Sequence, residues 1–183
     1  HPSWTLADVH RQLPGPRLAP AEVFDRLWRD RRTVEIAHHP CAVPSRSGQV
    51  LMQTMHAARS RGREGADAWR LSDQDVQSEV RMLAEQLNAT TALAAGIGEL
   101  DAHRDAPDHA LWQYWSTPGG DRLEEWSGRL RAASGIRERM HVIGQALRVN
   151  RTHLALRLER TPTTWEVMAE QGSRIRLAFS TVV

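Results

Sequence analysis

The sequence contains no lysine. Its 24 basic residues are all arginine and stand against 22 acidic residues, so the formal net charge at pH 7 is +2. Apart from Cys41, Tyr114 and the α-amino group, little titrates between neutrality and high pH, so this small positive charge persists. The sequence pI of about 9.4 therefore does not indicate a strongly basic surface. The arginine bias is typical of a GC-rich bacterial genome, and nucleic-acid binding has to be judged from local clusters.

Cysteine and long apolar runs are also scarce. The single cysteine, Cys41, excludes an intrachain disulfide and argues against a disulfide-stapled secreted scaffold. No apolar run approaches the roughly 18–20 residues that span a membrane, so we expect a cytoplasmic chain with no membrane partner. With 183 residues, of which 40% are hydrophobic, the chain can bury a core without disulfides or metal.

The motifs of common catalytic sites are missing too. The sequence has no G-x-S-x-G elbow, no P-loop, no G-x-G-x-x-G turn and no H-E-x-x-H helix. This absence favours a protein that binds rather than catalyses, and it leaves an enzyme as the alternative.

The first 58 residues mix helix and strand signals. We predict a short helix over residues 5–12, a break at Pro14-Gly15-Pro16, and a second helix from Pro20 with an apolar face that includes Phe24 and Trp28. Alternation then predicts strands over residues 33–37 and 50–55. This order is compatible with a winged-helix-like module, and generic α+β packing would give the same pattern. A flexible arginine- and glycine-rich linker is predicted over residues 59–67.

The central part of the chain is predicted to be helical. Val76, Val80, Leu83 and Leu87 follow helical spacing and form an apolar stripe, and Ser72 is the predicted N-terminal cap of this helix. We place this part in a second segment, residues 68–183, although the whole chain could form one compact domain.

The C-terminal part alternates between apolar and polar residues. The runs 152–160, 164–171 and 174–183 are joined by short turns at Thr161-Pro162 and Gly172-Ser173. This pattern predicts a three-stranded antiparallel meander with one solvated face, covered by the central helices. The predicted fold class is therefore α+β.

Arginine clusters are the candidate nucleic-acid contacts. Guanidinium groups bind phosphates bidentately and stack on bases, so they suit this role. Neighbouring acids, and the helix dipole, could account for the same arginines without a ligand. The candidate residues are Arg26, Arg29, Arg31, Arg32, Arg59, Arg61 and Arg63.

Histidines supply two further candidate groups. His39, Cys41 and His56, with His38 beside them, are residue types that bind zinc, although their spacing matches no strong zinc pattern and a polar loop with a half-buried thiol is the alternative. The second group could act as a general base or bind a divalent cation, or form a solvated helix end. It consists of Asp101, His103, Asp105, Asp108 and His109.

Tryptophan dominates the aromatic residues, with seven Trp against two Phe and one Tyr. Most of these rings should be core, but tryptophan is also favoured at interfaces. Trp112 and Trp115, which spread aromatic surface around one predicted helix, are the candidate contacts with a protein partner or a second copy of the chain.

Together these features predict a non-enzymatic binding module, or a subunit of a larger nucleoprotein or multiprotein assembly, that contacts nucleic acid through arginine clusters and needs no cofactor. A first alternative is an assembly or adaptor subunit that uses exposed tryptophans. A second is a zinc-dependent, hydrolase-like enzyme that uses His38, His39, Cys41 and His56.

Overall fold

The computed structural model describes residues 12–60, 64–117, 122–149 and 151–180, and it is mainly α-helical in these ranges. The elements are, in order, α1 (Pro20–Arg29), β1 (Arg32–Ile36), β2 (His39–Val43), α2 (Arg46–Ser60), α3 (Glu64–Arg70), α4 (Gln74–Gln86), α5 (Thr90–Ile97), a short 3-10 helix (Leu100–His103), α6 (His109–Ser116), α7 (Arg122–Ala132), α8 (Ile136–Leu147), α9 (Arg151–Leu158) and α10 (Thr164–Ser180). The predicted α+β class is therefore wrong.

The sheet of the described residues is one antiparallel hairpin. Strands β1 and β2 pair with Arg32 opposite Val43 and Ile36 opposite His39. The two-residue turn between them, Ala37 and His38, has left-handed φ angles of 50° and 64°. Positive φ at both positions is the geometry that matches the twist of a tight hairpin. Of the strands predicted in this region, the first is confirmed.

The second predicted strand, over residues 50–55, is wrong because these residues lie within α2. Ser45 begins this helix: its Oγ accepts a hydrogen bond from the backbone N–H of Gly48 at 3.2 Å. Leu51, Thr54 and Met55 are then buried together at the helical spacing of one face. A winged-helix arrangement is thereby excluded for the described residues, and the helix predicted over residues 5–12 lies outside them except for Gln12.

The chain divides into two compact units, His1–Gly128 and Arg129–Val183. The core of the first unit surrounds α2 and includes the fully buried side chains of Leu51, Val80, Leu87 and Trp112. The predicted stripe of α4 is confirmed, since all four of its residues are buried. Its N-cap is not Ser72 but Asp73, whose carboxylate accepts the backbone N–H of Val76 at 2.8 Å.

The second unit contains helices where the meander was predicted, so the meander is wrong. Residues 151–158 form α9 and residues 164–180 form α10. Leu154 and Leu156, which were predicted to share one face of a strand, differ in exposure: Leu154 is buried, whereas Leu156 is 73% exposed. Side chains join the two helices: Arg157 donates to Glu170 at 2.9 Å.

The described residues of the predicted linker belong to two helices. Residues 59–60 are the last of α2 and residues 64–67 are the first of α3, while residues 61–63 lie outside the described ranges. None of the described helices combines the length and apolar character needed to cross a membrane.

Candidate nucleic-acid interface

Helix α1 has an aromatic surface that lies outside its core-facing side. Pro20 occupies the first turn, where its missing N–H costs nothing, and the helix buries Val23 against the core. One position on, the side chains of Phe24 and Trp28 remain 59% and 45% exposed. Since residues four apart are neighbours on a helix, the two rings meet outside the core.

The two rings stack on each other. Their centroids are 5.5 Å apart and their planes differ by 17°. Offset stacking of this kind stabilises the exposed rings in one orientation. The result is a fixed, solvent-facing aromatic surface at the middle of α1.

Arg31 extends this surface beyond the end of the helix. Its guanidinium carbon lies 4.5 Å from the centroid of the Trp28 ring, which is a cation–π contact. Its Nη1 also donates to the backbone carbonyl of Trp28 at 2.9 Å. The guanidinium is therefore held beside the aromatic pair, and no described residue accepts from its remaining N–H groups.

Two neighbouring arginines carry charge that is exposed to solvent. Arg29 and Arg32 are exposed, and within the described ranges neither forms an ion pair or a side-chain hydrogen bond. Arg26 differs, because its Nε donates to Gln86 Oε1 at 2.8 Å and its Nη1 lies 3.7 Å from Asp30. Of the four arginines predicted here, Arg29, Arg31 and Arg32 can therefore reach a phosphate without breaking an ion pair with another described residue.

A shallow apolar cleft lies beside the aromatic pair. Its volume is about 290 Å³, and its lining includes Leu13, Leu18, Trp28, Pro44 and Met52. Among the described residues that line the cleft, Arg31 is the only charged one. A planar, apolar group can enter such a cleft while an attached anion meets the arginine.

Arg59 lies elsewhere on the same unit. Its guanidinium carbon is 5.2 Å from the centroid of the Trp115 ring, and it lines a second cavity of about 380 Å³. Leu13 and Met52 line both cavities, so the two depressions adjoin. Arg61 and Arg63, the other candidates of that cluster, lie outside the described residues.

The candidate zinc ligands are not brought together. Among the described residues, no group of three or more His, Cys, Asp or Glu side chains could hold a metal ion. His39 and Cys41 lie on the exposed hairpin, whereas His56 lies on α2 with its Nε2 at 3.5 Å from the hydroxyl of Ser60. His38 instead faces Glu35, at 3.4 Å.

The second histidine and acid group is likewise dispersed. Asp101 pairs with Arg104 at 3.0 Å, within an exposed turn. Asp108 is buried and lies 3.6 Å from Arg17. Among the described residues, these acids and histidines do not form a group that could hold a metal ion.

The two tryptophans predicted to contact a partner, Trp112 and Trp115, pack within the chain. Trp112 is 1% exposed and belongs to the core, so it presents no surface to a partner. Trp115 packs edge-on against it with ring centroids 5.1 Å apart, and Arg59 covers it. Phe24 and Trp28, which were predicted on the apolar face of the second helix, form an exposed stacked pair instead. The sequence carries a signal for this exposure: Val23 and Leu27 already supply a core stripe at the same spacing, which leaves Phe24 and Trp28 beside it.

Comparison of the chain with protein-family models, with curated proteins and with solved structures finds no match.

Proposed function

We propose that this chain is a non-enzymatic binding module that contacts single-stranded nucleic acid at the C-terminal half of α1. The observation that supports the proposal best is the exposed Phe24–Trp28 stack with Arg31 held over Trp28. Aromatic platforms beside arginines are how proteins bind unpaired bases with little sequence preference. The exposed face of Phe24 offers a base a ring to stack on.

The arginines supply the phosphate contacts in this proposal. Arg29 and Arg32 have no ion pair with another described residue that would have to break before they meet a phosphate. Arg31 is oriented by its bond to the Trp28 carbonyl, so less side-chain freedom is lost when it binds. Because the net charge of the chain is only +2, affinity should come from this local group and not from a general basic surface.

The first test is the binding of a fluorescently labelled oligo(dT) or oligo(U) strand, followed by anisotropy over a series of salt concentrations. We expect the affinity of the native chain to fall as salt rises. Replacing Arg29, Arg31 and Arg32 together by Ala should reduce the magnitude of the log–log salt slope by about 2, since each phosphate contact on a single strand contributes about 0.7. Arg104→Ala, an exposed arginine paired with Asp101, is the matched control and should leave the slope unchanged.

Phe24→Ala tests the stacking surface. Loss of one base–aromatic stack costs about 1–3 kcal/mol, which corresponds to roughly fivefold to 150-fold weaker binding. Trp165→Ala removes another exposed aromatic ring, 77% exposed on α10, and should have no such effect. A salt slope near zero, or equal losses in the two aromatic variants, would refute the proposed interface.

A further inference from the structure

Helix α8 carries an apolar stripe that no described residue of its own unit covers. Ile136, Met140 and Ile143 follow one another at i, i+4 and i+7, and therefore lie along one face. They are 83%, 62% and 39% exposed. Exposed apolar side chains that line up in this way mark a surface for another helix.

The charges beside this stripe are of one sign. At 100° per residue, Arg137 lies on one side of the stripe and Arg139 on the other. Both are exposed, and within the described ranges neither has an ion pair or a hydrogen-bonded side-chain partner.

The acid of this first turn, Glu138, lies on the opposite face. Its carboxylate accepts from the backbone N–H of Ser134 at 2.8 Å and from the Ser134 hydroxyl at 2.7 Å. It therefore serves the start of the helix and leaves both arginines for a partner. His141 and Gln145, which bond to each other at 2.9 Å, also lie away from the stripe.

We infer that the α8 stripe binds an amphipathic helix of a partner protein that carries acidic residues beside its apolar face. The apolar residues would supply the contact, and the arginine pair would select the acidic flanks. A second copy of this chain fits less well, since pairing two such stripes would bring Arg137 and Arg139 of both copies together. This inference does not depend on the proposed nucleic-acid interface, which lies on α1.

The test uses two designed helical peptides with the same leucine stripe, flanked by glutamates in one and by lysines in the other. Titration of each labelled peptide with the full chain should show the glutamate peptide binding at least about tenfold more tightly at low salt. The double variant Arg137→Glu/Arg139→Glu should reverse this preference. Equal affinity for the two peptides in the native chain, or an unchanged preference in the double variant, would overturn the charge argument.

A second variant tests the stripe itself. Met140→Glu should lower the affinity for the glutamate peptide at least about tenfold. The new carboxylate places a charge in the apolar contact and repels the acidic flanks of the peptide. Met82→Glu alters a methionine of similar exposure on α4, 54% against 62%, and should leave binding unchanged. If neither peptide binds, or if sedimentation shows a dimer that Met140→Glu dissociates, the acidic-helix partner is wrong.

Discussion

Single residues decide how closely the helices of the first unit approach. Gly96 on α5 lies against α2, and a Cβ at this position would be 2.5 Å from Thr54 Cγ2 and 2.8 Å from the Thr54 carbonyl oxygen. Thr54 is fully buried and its hydroxyl donates to the Val50 carbonyl at 2.8 Å, so it has little room to move. Gly96 is therefore required by a close contact between two helices.

The variant Gly96→Ala should destabilise the chain by about 1–3 kcal/mol, although alanine is the better helix former. Urea unfolding followed by circular dichroism measures the change. Gly144→Ala on α8, where a Cβ would meet nothing within 4 Å, is the control. It should stabilise its helix by up to about 1 kcal/mol. Equal effects of the two changes would show that α5 can move away from α2.

Residue type alone did not locate the candidate site. Trp112 and Trp28 are residues of the same type, yet Trp112 is 1% exposed and Trp28 is 45% exposed. Their neighbours in space, and not their neighbours in sequence, produce this difference. The arginines were easier to predict, because a charged group stays at the surface wherever the fold places it.

At the scale of elements, the start of α10 carries a helix signal in a segment where the alternation of apolar residues predicted a strand. Thr163 and Glu166 form a reciprocal capping box: the Thr163 N–H donates to Glu166 Oε2 at 2.8 Å, and the Glu166 N–H donates to Thr163 Oγ1 at 3.3 Å. The T-x-x-E spacing that forms it is visible in the sequence and indicates a helix start. A two-residue period over short runs was the weaker signal.

Glu166 also makes this helix start sensitive to acid. Hydrogen bonding from Arg160, and then from Thr163, lowers the pKa of Glu166 from 4.5 to about 2. Because the folded pKa is depressed, the stabilisation by the carboxylate is complete above about pH 4.5 and is lost as the pH falls through about 2. We expect an NMR titration of the Glu166 carboxyl carbon to show a midpoint near 2.

Arg160→Ala should raise that midpoint towards 4.5, since the hydrogen bond from Arg160 is the largest cause of the shift. Arg157→Ala is the matched control, because Arg157 pairs with Glu170 of the same helix and not with Glu166. The Glu166 midpoint should stay near 2 in that variant. A midpoint near 4.5 in the native chain would mean that the capping box is not formed.

At the scale of the whole molecule, the mainly helical architecture has a direct spectroscopic consequence. The β-structure of the described ranges is the single hairpin of β1 and β2, and ten helices occupy most of the rest. We therefore expect a far-UV circular dichroism spectrum dominated by helix. A spectrum with the strong sheet contribution of a three-stranded C-terminal meander would contradict this architecture.

The sequence by itself determined α1, the first strand and the buried stripe of α4, because short-range signals produce them: a first-turn proline, alternation before a tight turn, and apolar residues at helical spacing. It also determined that the positive charge is carried by local arginine clusters and not by a large net charge. Only the tertiary structure decided that Trp112 is core, that Phe24 and Trp28 are exposed, and that residues 151–158 are helical. The reason is physical: burial and the choice between helix and strand in short apolar runs depend on neighbours that are distant in the chain.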